Sequence, residues 1–201
     1  MKINDQRQAE AAWLIHASAL SNGSVAFGLA NTLAGDTALI TGVSLYMIHR
    51  LGKLYQIDDV NGKQIITQIV THYAAPLIGA KLLFWLPGIG NWANAASMSL
   101  LTEMIGWSCV ILFSEGTAID TLKSKDWKQL LQSAKKRANE HQAENKLMLA
   151  NMSEIEQAQF RALNKQLANK KLSSTEKDTE FQSLLDLYAT VAERSANSSQ
   201  S

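Results

Sequence analysis

The sequence predicts an all-α protein: a helical bundle with a long apolar αα-hairpin, followed by a charged helical module. Two prolines and eleven glycines in 201 residues leave long stretches free of helix breakers. Apolar side chains recur at three- and four-residue intervals, the period of a helix with one buried face. Serine followed three residues later by glutamate, at 153/156 and 173/176, has the spacing of a capping box.

Charge divides the chain unevenly. Residues 1–115 hold 6 basic and 7 acidic side chains, whereas residues 116–201 hold 13 and 11. Residues 11–35, 64–80, 82–102 and 104–114 contain no Asp, Glu, Lys or Arg. The expected organisation is an apolar helical, membrane-associated domain over 1–116, a charged amphipathic helical module over 117–195 and a disordered tail over 196–201. Basic and acidic residues nearly balance, at 19 and 18, which argues against a nucleic-acid binder. A single cysteine, Cys109, excludes an intrachain disulfide framework and fits a reducing compartment. Residues 1–10 are polar and of mixed charge, unlike a cleavable signal.

Taken in order, residues 9–20 and 25–33 read as helices on either side of Ser21-Asn22-Gly23-Ser24. A third covers 37–55, with Val43, Met47, Ile48, Leu51 and Leu54 on its inner face. After a turn at 58–62, helices over 63–86 and 92–114 form the hairpin, whose tip is Pro87, Gly88 and Gly90. Proline, glycine and a short loop are what such a connection requires. Small residues along these helices allow close backbone approach. In the second module Ser124 caps a helix running to about 150, and helices restart near 154 and 174. A 4–3 seam from Trp127 through Leu131, Ala134, Ala138, His141, Asn145, Met148 and Met152 to Ile155 has coiled-coil spacing. Its polar middle fits short helices folding back equally well. Phe160, Leu163, Leu167, Phe181, Leu184, Leu185 and Tyr188 are the expected inward faces.

Membrane insertion and a soluble core are both open to the hairpin. A bilayer span needs about 20 apolar residues, and each hairpin helix carries one charge, Lys81 or Glu103. Each charge costs roughly 2.5–3.5 kcal/mol at a bilayer centre. Arg50, Lys53 and Lys63 precede the hairpin and Lys123, Lys125, Lys128, Lys135, Lys136 and Arg137 follow it, so the positive-inside tendency puts both termini in the cytoplasm. Lys81 and Glu103 are then intramembrane polar residues, and the later basic cluster is a contact for anionic lipid or a protein partner. Glu103 can equally be a carboxylate paired with hydroxyls at a helix contact.

Asp36-Thr37, then Tyr46-Met47-Ile48, Leu51 and Tyr55, resemble a segment of the YcjF-like family. Leu86-Pro87-Gly88-Ile89-Gly90, followed by Thr102, Gly106 and Phe113, resembles its proline-glycine hairpin and following helix. The resemblance covers about residues 10–116. It implies a membrane-associated helical domain that works with a small GTP-binding protein, and it supplies no catalytic residues.

Chemistry is otherwise sparse. No phosphate-binding glycine loop, HExxH pair or nucleophile-elbow serine occurs, and His16, His49, His72 and His141 lack an i, i+4 mate. The expectation is a non-enzymatic, membrane-associated adaptor or regulator without cofactor or metal, contacting lipid and a protein partner such as a GTP-binding protein. Homo-oligomerisation stays open. A pore-forming protein lined by Lys81 and Glu103 and a soluble cytoplasmic scaffold are the alternatives.

Overall fold

The computed structural model describes residues 3–27, 36–78 and 91–198, and every regular element among them is helical. The elements are α1 (Ile3–Phe27), α2 (Asp36–Leu54), α3 (Gly62–Ile78), α4 (Asn91–Glu115), α5 (Ser124–Glu140), α6 (Gln142–Asn151), α7 (Glu154–Ala168) and α8 (Ser174–Ser198). A 3-10 turn, Ile119–Thr121, lies between α4 and α5. The all-α expectation therefore holds. The hairpin tip at Pro87, Gly88 and Gly90, and Lys81 beside it, lie outside the described residues.

The bundle is built around α1. Every residue from Leu14 to Ala26 is buried, on all sides of the helix, and α1 touches α2, α4, α6, α7 and α8. A helix enclosed all round must be uncharged where it is enclosed, and this one carries no charge after Glu10. Helix α4 runs antiparallel to it: Ile15 sits against Gly106, and Gly23 against Ala95 and Ser99. The inner faces of α5–α8, led by Leu131, Met148, Phe160, Phe181 and Leu184, join the same hydrophobic cluster as Ile15, Met47 and Met104.

Three sequence expectations change here. Residues 117–195 do not form a separate core, because their apolar faces are spent on α1, α2 and α4. The segment Ser21-Asn22-Gly23-Ser24 does not interrupt α1. Its polar groups are satisfied without a turn: Ser24 Oγ donates to Ser21 O at 2.8 Å, and Asn22 Nδ2 donates to Ser44 Oγ at 3.1 Å and Thr102 Oγ1 at 3.0 Å. Helix α8 continues to Ser198, past the expected onset of the disordered tail.

The helix ends follow their chemistry. Ser153 N donates to Glu156 at 2.8 Å, and Glu156 N donates back to Ser153 Oγ at 3.3 Å. Ser173 and Glu176 repeat this geometry at the start of α8. Both satisfy backbone donors that a helix N-terminus leaves open. The expected long helix from Ser124 is instead two helices, broken at His141, where φ is −101° and ψ is 0°. Lys123, not Ser124, is the capping residue, its backbone N–H donating to Asp126 Oδ2 at 2.9 Å.

Gly42 permits close approach between α2 and α7. A Cβ on Gly42 would lie 2.7 Å from Ala168 Cα and 2.9 Å from its nitrogen, and backbone cannot rotate away. Gly42→Ala is therefore expected to cost about 1–3 kcal/mol, the range for overpacking a core. Urea unfolding of the variant and parent checks this, and an unchanged midpoint would show that α2 and α7 are less tightly seated.

Candidate functional site

At the centre of α4 lies Glu103, with no exposed surface. A lone carboxylate in that position is costly, and ionised acids are retained in interiors only when paired and hydrogen-bonded. Three donors from three helices meet it. His16 Nδ1 on α1 is 2.6 Å from Oε1, Asn145 Nδ2 on α6 donates to the same oxygen at 3.0 Å, and Trp107 Nε1 on α4 donates to Oε2 at 3.0 Å. Since the carboxylate only accepts, the His16 proton in this contact belongs on Nδ1.

A second layer closes over these partners. The His141 ring lies 4.0 Å from that of His16, tilted by 45°. The Arg137 guanidinium sits 5.1 Å above the Trp107 ring, a cation–π distance. Tyr188 on α8 packs edge-on against Trp13 at 4.8 Å. Burial pushes its phenol up to about 12, with the charges of Glu103 and Glu144 adding to the effect. His16 Nε2 is buried and finds no hydrogen-bond partner among the described residues.

Of the sequence-predicted site residues, Glu103 is central, and its partners are imidazole, indole and amide groups, not hydroxyls. Arg137 belongs to the same cluster through Trp107 and is half-buried, unlike the exposed Lys123, Lys125, Lys128, Lys135 and Lys136. Trp107 is an interior donor. His16, Asn145 and His141 were not singled out by spacing, because 42 to 87 residues separate Asn145 and His16 from Glu103. No three His, Cys, Asp or Glu side chains converge on a metal position among the described residues.

A second polar cluster ties α8 to α2. Tyr46 Oη donates to Asp178 Oδ1 at 2.6 Å, Arg50 reaches the same oxygen at 3.4 Å, and Lys53 Nζ lies 3.7 Å from Oδ2. The Tyr46 hydrogen bond above all, then Lys53 and Arg50, hold the Asp178 carboxyl below the usual range. These side chains, with Glu10, Leu54 and Gln182, line an open surface groove of about 490 Å³. Its cations are already engaged with Asp178, so it ties helices together and presents no unbalanced charge.

Fold and site together define a class: an all-α bundle assembled around an enclosed carboxylate. The chain matches no family model, no curated protein and no solved structure.

Replacing Glu103 by alanine strands three buried donors and is expected to lower the unfolding free energy by about 3–5 kcal/mol. The double variant with His16→Ala should lose less than the sum of the two single changes, since the partners share one interaction. Additive losses in urea titrations would show that the two side chains are not coupled.

For Asp178 the depressed folded value stabilises the protein above the unfolded carboxyl value, and that stabilisation is lost as pH falls through the folded value. Asp178→Asn keeps an acceptor for Tyr46 but removes the charge. The stability difference between parent and variant should be present at pH 7 and shrink below about pH 4, where unfolded aspartate protonates. A difference that is constant from pH 7 to pH 3 would contradict the ion-pair account.

Proposed function

We propose that this chain is a non-enzymatic, membrane-associated adaptor or regulator that places its apolar α3–α4 end in a lipid surface and acts with a GTP-binding protein. The observation that carries this reading is the uneven enclosure of α4. From Thr102 to Val110 every residue is buried, whereas Ala96, Met98, Leu100 and Leu101 are apolar and only partly covered. Val70 on α3 is exposed as well. Sequence adds to this, because Lys81 is the only charge between Ile78 and Asn91.

Length and composition make Ala95–Glu115 the only stretch among the described residues that qualifies as a bilayer span, and 61% of its most apolar window is buried in the bundle. The part of α4 from Asn91 to Leu101 is about 15 Å long at 1.5 Å per residue, roughly half a hydrocarbon core of about 30 Å. Shallow insertion of that end leaves Glu103 with its protein partners and avoids moving a charge into lipid. The resemblance to the YcjF-like family supports the same location and supplies the GTP-binding partner. The lysines of α5 offer an exposed polar face for a protein contact.

Flotation with phosphatidylcholine vesicles tests the location. The purified protein should rise with the vesicles and stay there through a 1 M salt wash, because hydrophobic insertion survives screening of surface charge. Monodisperse protein left wholly in the dense fraction would remove the membrane reading and leave a soluble scaffold.

A further inference from the structure

Helices α1 and α4 carry few charges, and the more charged helices α5–α8 pack over them. Between Ala11 and Phe27, α1 carries no charged residue, and α4 carries only Glu103 between its ends. Over them lie α5–α8, whose buried residues are mostly apolar, with Asn145, Glu156, Asn164 and Ser195 as polar exceptions, and whose exposed residues carry most of the charges. Trp127, Leu130, Leu131, Ala134 and Ala138 are buried on α5, while Lys125, Lys128, Lys135 and Lys136 on the same helix are exposed. The chain joining the two groups is thin. From Ser114 to Asp126 no residue is buried, and Gly116 adopts a positive φ of 63° with open space around it.

We infer that α5–α8 form a releasable coat over α1 and α4, which a lipid surface displaces, with the Asn145–Glu103 contact as a polar latch between coat and core, beside the Asn164–Ser21 hydrogen bond. This deepens the membrane reading above and rests on it. Of the coat helices, α5, α7 and α8 are amphipathic, so they can exchange the bundle for a lipid interface, apolar side down and charges outward. Uncovered, α4 is about 37 Å long at 1.5 Å per residue, and its Ala95–Glu115 stretch is long and apolar enough to cross a bilayer. The latch side of the argument is geometric. Asn145 is the only group from the coat among the three that donate to Glu103, and the other two, His16 and Trp107, belong to α1 and α4 themselves. When α6 leaves, Glu103 therefore keeps two of its three donors, so the uncovered pair of helices carries its one interior charge already hydrogen-bonded.

A covalent tie between the coat and α2, which packs against both α1 and α4, tests this in the full-length chain. Lys53 on α2 and Gln182 on α8 line the same surface groove and lie outside the Glu103 cluster, and the native Cys109 is buried. The variant Lys53→Cys with Gln182→Cys, bridged by a short bis-maleimide, should stay monomeric and helical. Its vesicle-bound fraction after a carbonate wash should fall at least tenfold below that of the same variant left unbridged. Equal carbonate-resistant binding with and without the bridge overturns the release, while leaving shallow insertion of the α3–α4 end intact. No vesicle binding by either form overturns the membrane reading and the coat together. The latch is read separately with Asn145→Asp, which brings a second carboxylate to Glu103 and should raise vesicle insertion of the unbridged chain several-fold. A helical, monomeric Asn145→Asp protein that inserts no more than its parent overturns the latch assignment.

Discussion

Glu103 imposes one requirement that the surrounding helices jointly meet: a carboxylate with no exposed surface must be given donors. Hydrogen bonds to a charged group contribute about 1.5–3 kcal/mol each, whereas a buried charge left without partners costs several. His16 fixes the register of α1 against α4, Trp107 closes the second oxygen from one turn away, and Asn145 draws α6 across both.

Polar contacts elsewhere in the interior have the same character. Asn22 bridges α1 to α2 and α4, and Asn164 Nδ2 donates to Ser21 Oγ and to Phe160 O, joining α7 to α1. Apolar packing is non-directional and tolerates sliding between helices. These amides are directional, and each sits where a one-residue slip would strand it. Core polar groups of this kind contribute specificity of arrangement along with stability.

Much of the architecture was legible locally. The faces of α2, α7 and α8 follow the 3.6-residue period, and the two Ser–Glu capping boxes appear where their spacing put them. What misled was also local. Ser21-Asn22-Gly23-Ser24 has turn composition, yet its side chains bond to groups on α2, α4 and α7, and sequence spacing carries no trace of those partners. The charge step near residue 116 resembled a domain border for a related reason. Charged outer faces mark helices at the surface, but they do not say which core the inner faces cover. The same holds for Glu103: its conspicuous charge in an apolar run could be read directly, while its imidazole and amide partners, 42 to 87 residues away, could not.

The central position of α1 sets an order on the life of the chain. It is made before the helices that enclose it, and α8, which follows the other described helices in the chain, completes the wall around it. At synthesis rates of about 5–20 residues per second, roughly 10–30 s separate the emergence of α1 from that of α8. During that interval an uncharged helical segment waits with its neighbours missing. Contacts that link the two ends of a chain are also the slow ones to form, because loop closure precedes their reward. A nascent chain of this design therefore holds α1 without its full enclosure until α8 is made.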